Sequence, residues 1–477
     1  MEELPQELIN EIALYLDRYE DHPLQLPAID QQESGPSKLL SYATISSRWR
    51  AAVESITFHR LRINSRDLSQ FRSIVTGNRR HYLKRLHFTV VLPEYSGERC
   101  AQVESREEQQ SNNKCFTEAI VDLFTILKHW EDEGHMGGLR LQLGDAHSPT
   151  DCRDAQVRLG RAQHKRERNP DIFEDRWAAS FIDLYRPDRL PTLSNVVYLN
   201  FQGNCGRIFS PAVGPGLAAC LPNLKGLHWR FGERDDKLVN DENRARFANI
   251  LGQIQLQRCS TADIIFYLDP PDHKLAVRSR IPPGALYDPF STSLRGFSQT
   301  LTSLVLAGCL DSTLFWPCSH EACSTPTWPS LKMLSIDFHM IAPSGDWYFV
   351  GTDAESDPAF RQHGNPETLD PFLASFAKAL DHMPLLEHFL LESNLGDDKG
   401  YWEISFHAPG REAEQGDQDE NDVKVRRLYY TVGEVWKPDE FVAEAFRGVG
   451  RERHGAELIE RFLGPRNWAL DPCHSFL

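Results

Sequence analysis

The sequence predicts an α/β fold in which a small all-helical module, residues 1–63, precedes an irregular repeat-like body, residues 64–477, of parallel strands and intervening helices. Three observations predict it. Two short amphipathic helical patterns open the chain, a Pro-x-Leu phrase recurs beyond them, and further helical patterns fall between several of its copies.

The first element is LPQELINEIALYL, Leu4 to Leu16. Pro5 stands at a first helical position and Glu7 in the first turn, where a missing N–H is harmless and a negative charge meets the positive helix end. Leu4, Leu8, Ile9, Ile12 and Leu16 recur three or four apart and predict one apolar stripe, incompletely covered by the chain itself. Asp17 to Lys38 holds Pro23, Pro27, Gly35 and Pro36 among polar residues and reads as a loop. The second helical pattern, LLSYATISSRWRAAVESITF, places Leu39, Tyr42, Ala43, Ile45, Trp49, Ala52, Val53 and Ile56 at helical spacing. FHRLRI, Phe58 to Ile63, alternates apolar and basic residues and predicts a short strand leading into the body.

The recurring phrase appears as LPTLSNVVYLNF, LPNLKGLHWRF, SQTLTSLVLAGC, WPSLKMLSIDF and MPLLEHFLLES. Each copy has apolar residues at positions 0, +3 and +5: Leu193, Val196, Tyr198; Leu224, Leu227, Trp229; Leu301, Leu304, Leu306; Leu331, Leu334, Ile336; and Leu386, Phe389, Leu391. A shared phase of this kind predicts neighbouring parallel strands with those residues in one core. YLKRLHF from Tyr82 and GGLRLQL from Gly137 are weaker copies. Helices are predicted through Phe116 to Trp130 and Phe247 to Ile254, and from an Asp370 cap with Pro371 at its first position through Leu380. Helix followed by strand resembles the leucine-rich repeat, L-x-x-L-x-L, although the gaps from Leu224 to Leu301 and from Leu331 to Leu386 exceed its period and imply long insertions. Arg411 to Asp422 is too polar to pack and reads as a mobile acidic loop. After it come a strand, VRRLYYTV, and helices over EFVAEAF and AELIERFL.

The net charge of −16 argues against general nucleic-acid binding and against an anionic membrane surface, because both demand a concentrated basic patch. HKRERNP, His164 to Pro170, reads as a solvated loop, with a nuclear-localisation signal as the alternative. No secretory pattern or long apolar span is present, and ten cysteines are scattered along the chain. A cytoplasmic or nuclear protein with reduced thiols is the expectation.

No GxxxxGK[ST], HExxH or GxSxG occurs. Cys309, Cys318, His320 and Cys323 offer the right ligand types for zinc without a C-x2-C pair, and Cys309 ends a strand where a small buried side chain is ordinary. Histidines beside aromatics in HFTVVLPEY and FHMIAPSGDWYF read as structural, and Asp235-Asp236 and Asp397-Asp398 as loop carboxylates. No catalytic residue, cofactor or metal is assigned.

The pairing of LPQELINEIALYL with LLSYATISSRWRAAVESITFHRL resembles an F-box, and its combination with a large repeat-like body resembles fungal F-box proteins. The opening Leu-Pro-x-Glu, the Ser47-Arg48-Trp49-Arg50 element and the Phe58/Leu61 exit carry the likeness, while the long Asp17–Lys38 link departs from it. The resemblance implies a non-catalytic substrate receptor that docks a Skp-type adaptor, and through it a cullin, with a protein substrate on the body. Leu4, Pro5, Leu8, Ile9, Ile12, Leu16, Leu40, Ser47 and Trp49 are the implied adaptor contacts. Alternatives are an adaptor-binding scaffold without a ubiquitination role, or an enzyme whose site lies around Gly308–Cys323 or Pro343–Gly351.

Overall fold

The computed structural model describes residues 4–20, 39–100, 102–134, 137–152, 174–177, 180–202, 207–233, 237–267, 278–319, 321, 324–351, 361–396, 400–411, 422–432 and 436–463. Asp235-Asp236, Asp397-Asp398, HKRERNP, His320, Cys323 and nearly all of the acidic segment after Arg411 lie outside them.

Among the described residues, the body is organised by one twelve-stranded sheet whose strands lie side by side in chain order. They are β1 (Arg60–Asn64), β2 (Arg85–Val91), β3 (Leu139–His147), β4 (Val196–Gln202), β5 (Gly226–Gly232), β6 (Thr261–Tyr267), β7 (Ser303–Gly308), β8 (Met333–Phe338), β9 (His388–Asn394), β10 (Tyr401–His407), β11 (Arg426–Thr431) and β12 (Leu458–Leu463). Each of β1 to β8 pairs in parallel with the next. β10 runs antiparallel to both its neighbours, and β12 returns parallel to β11.

Residues alternate between a fully buried face and a half-exposed one, as the period-2 pleat requires. Helices cover the buried face. Phe247 of the helix Lys237–Gln253 packs edge-on to Trp229 and Phe266, and Phe290 of the helix Pro289–Ser298 meets both Phe247 and Phe266. Further along, Phe372 and Phe376 of the helix Leu369–Leu380 pack on Phe338 and Phe389. Helix Arg106–Asp132 begins with a capping box between Ser105 and Glu108 and buries Phe116, Ile120, Leu123, Phe124, Leu127 and Trp130 on the first strands.

Four of the five strong copies bury their 0, +3 and +5 residues as the pattern predicts. The first does not: Leu199 pairs with Leu227, so Leu199 and Phe201 enter the core, and Tyr198 turns to the other face. A register shift between β3 and β4 accounts for the change, since one added residue flips every later side chain. The 77-residue gap from Leu224 to Leu301 is filled by another unit, the helix Lys237–Gln253 and β6, which buries Cys259, Ala262 and Ile264 at the 0, +3 and +5 positions.

Other expectations are corrected. AELIERFL forms β12 rather than a helix, because β11 offers an unpaired row of backbone groups and Tyr430 stacks on Phe462 at 4.5 Å. Helix Leu369–Leu380 starts two residues before the predicted position, with Thr368 at the cap, and Pro371 falls in a first turn whose N–H groups have no helical acceptor in any case. The run of parallel strands ends in the β9–β10–β11 reversal, which no recurring phrase marked. No described helix is long and apolar enough to cross a membrane.

Candidate functional site

Three N-terminal helices, α1 (Gln6–Glu20), α2 (Leu39–Tyr42) and α3 (Ser47–Thr57), close a small core of their own. Ser46 caps α3 by accepting a hydrogen bond from the Trp49 amide at 3.3 Å. Tyr42 stacks on Trp49 at 5.8 Å, and Ile9, Ala13, Leu39, Ala52 and Val53 complete the cluster. The helices are also joined by polar contacts: Arg48 Nε donates to Gln6 Oε1 at 3.3 Å, and Gln6 Nε2 donates to the Arg48 carbonyl at 3.2 Å.

This packing divides the predicted stripe. At about 100° per residue, Ile9, Ala13 and Leu16 form one sector of α1, which faces Trp49, and Leu8, Ile12 and Tyr15 form another, which faces solvent. Leu8 is 44% exposed, Ile12 39%, Tyr15 63% and, on α2, Leu40 51%. Pro5 and Ser47 are exposed, and Leu4 and Leu16 are half-buried against the small core. Ile9 and Trp49, expected among the adaptor contacts, are corrected to core residues, because the sector carrying Ile9 is the one α3 covers. Tyr15 was missed, although its spacing from Leu8 and Ile12 is helical.

The module meets the sheet through β1, which continues directly from α3 as the edge strand. Arg79 Nη2 donates to Glu54 Oε1 at 2.7 Å and its guanidinium lies 4.8 Å over the Phe58 ring. Phe58 and Leu61 pack on the large core.

The second surface is the sheet face that the helices leave open. Its rows run in register from Arg60, Arg85, Arg140, Tyr198, Gly226 and Thr261 in one line, and from Arg62, His87, Gln142, Asn200, His228 and Asp263 in the next. A shallow pocket of about 190 Å³ opens between Arg60, Arg85, Arg140 and Tyr198. Burial, then the Arg62 and Arg60 guanidiniums, hold the His87 imidazole below its ordinary range against an opposing pull from Asp145. His228 Nδ1 lies 2.5 Å from Asp263 Oδ2. Toward the other end the same face carries Asp337, Glu392 and Glu403 in register on β8, β9 and β10, with Glu403 buried. Burial pushes the Asp337 carboxyl up to about 6.

The cysteine cluster does not gather. Cys309 is buried, donates its thiol to the Ile341 carbonyl at 3.2 Å, and is pushed up to about 11 by burial, so it holds its proton at neutral pH. Cys318 is half-buried, and its other two candidate partners lie outside the described residues. Among the described residues no group of three His, Cys, Asp or Glu side chains is placed to hold a metal. His339 accepts the Ile341 amide at 3.3 Å, a local structural contact.

No protein-family model matches the chain, and no curated protein matches it.

Proposed function

We propose that the chain is a non-catalytic substrate receptor of a Skp-cullin-F-box ubiquitin ligase, with the N-terminal helices as the adaptor dock and the open face of a leucine-rich-repeat-like body as the substrate surface. The observation that carries this reading is the exposed apolar pair Leu8 and Ile12 on α1, with Leu40 exposed on the next helix, on a module that already has a closed core. Exposed apolar side chains on a module whose core is already closed are suited to a partner's groove, and i, i+4 anchors are a spacing a docked helix uses. The F-box resemblance of the same residues names the groove as that of a Skp-type adaptor.

A Leu8→Asp, Ile12→Asp double variant tests it by pull-down against purified Skp-type adaptor, with thermal unfolding alongside. Placing carboxylates in an apolar interface without partners costs several kcal/mol, so adaptor affinity is expected to fall on the order of a hundredfold or more. The melting temperature is expected to hold, because both side chains face solvent in the free chain. A folded double variant that binds adaptor like the parent chain rejects the reading.

A further inference from the structure

The open sheet face concentrates positive charge at one end of a strongly acidic chain. Arg60, Arg85 and Arg140 are directly opposite one another on three adjacent strands, at the strand separation of about 4.8 Å, and Arg62 stands in the next row. All four are exposed, and among the described residues none of them is in an ion pair. Arg140 lies 4.8 Å over the Tyr198 ring, which fixes one wall of the pocket. Like charges set opposite one another across a sheet destabilise it. Charged edge strands resist unwanted pairing, and that accounts for Arg60 and Arg62 on β1, but β2 and β3 are interior strands with no edge to protect.

We propose that this arginine row binds a carboxylate- or phosphate-bearing extended peptide segment, the anion taking the place of the missing counter-charges. Guanidinium forks bind both anions in bidentate fashion, and the pocket between Arg85 and Arg140 has room for one acidic side chain. A short acidic segment is favoured over nucleic acid because the net charge of −16 repels a long polyanion beyond the reach of this one patch. The proposal rests on the receptor reading only in taking such a segment to belong to the substrate; the binding itself needs no adaptor.

The test uses the full chain and fluorescence anisotropy with three labelled ten-residue peptides: one with Glu at alternate positions, its Gln counterpart, and a version with phosphoserine in place of Glu. The acidic or the phosphorylated peptide is expected to bind at least tenfold more tightly than the Gln peptide, and whichever of the two binds better identifies the anion. An Arg85→Gln, Arg140→Gln double variant is expected to lose that preference, to weaken at least tenfold, to melt no lower than the parent chain, and to keep adaptor binding in pull-down. A second variant, Lys332→Gln, removes a cation just before β8, far from the arginine row, and is expected to bind the peptides normally. Equal binding of all three peptides overturns the proposal, as does an unchanged double variant. A single-stranded oligonucleotide that binds more tightly than either anionic peptide overturns it in favour of nucleic acid, and a dimer that the double variant dissolves overturns it in favour of a second copy.

Discussion

Ile9 and Ile12 are three residues apart on the same helix and have opposite fates: one is sealed beneath Trp49, the other faces water. Their substitutions therefore predict different results. Ile9→Asp buries an unpaired charge in a core of six residues, and the module is expected to melt separately and early, as a loss of helical signal at a temperature where the body is still folded. Ile12→Asp is expected to leave that signal intact. A second residue-scale prediction concerns Asp337. Its carboxyl titrates near 6 in the fold against about 3.8 when unfolded, so the folded state binds the proton more tightly, and stability falls as pH rises from about 4 to 6 and stays reduced above. Asp337→Asn removes this dependence. The variant is expected to gain on the order of 2 kcal/mol over the parent chain at pH 7 and nothing at pH 3.5, as read by urea unfolding at the two pH values. Equal gains at both would assign the effect to packing instead.

At the scale of elements, the strands of the repeat were legible because Leu at 0, +3 and +5 is both a strand alternation and a turn contact, so the same residues fix the element and its facing. β6 was not legible: its equivalent positions are Cys259, Ala262 and Ile264, which bury as well as leucine but do not announce themselves. The face of β4 was also hidden, since the register shift that turns Tyr198 outward depends on how β4 pairs with β3. Gly226 shows why that turn fits. A Cβ there would come within 2.5 Å of the Thr261 hydroxyl on one side and 2.8 Å of the Tyr198 ring on the other, so Gly226→Val is expected to push the ring away from Arg140 and open the pocket wall, seen as altered fluorescence of Tyr198 relative to a Tyr198→Phe control. The start of helix Arg106–Asp132 is held by another feature that no motif marks. Arg207 Nη2 donates to Glu104 Oε1 at 2.7 Å and another Arg207 nitrogen to Asp151, all three buried. Arg207→Ala leaves Asp151 buried without its cation and Glu104 with only Arg176, 3.9 Å away, and is expected to destabilise the body by about 3–5 kcal/mol, measured by urea unfolding.

At the scale of the molecule, the two cores are unequal partners: a small helical one, and a long one laid down strand beside strand. Five of its twelve strands, β4, β5, β7, β8 and β9, were visible in the five strong phrases, and β2 and β3 in the weaker copies. The reversal at β10 was not, because YWEISFH alternates like any other strand and direction depends on the connection rather than on residue type. The order of the strands has a further consequence. Each strand of the large sheet from β2 to β12 finds its partner in the strand made just before it, so during synthesis on the ribosome every new strand emerges beside an edge already waiting for it. Loop closure is local at each addition, and the growing sheet never waits for a segment from the far end of the chain. A nascent chain halted after Asn394 is therefore expected to hold native pairing through β9 with one raw edge, and arrest-peptide force profiles are expected to show successive small pulls as units leave the exit tunnel, with no single late event.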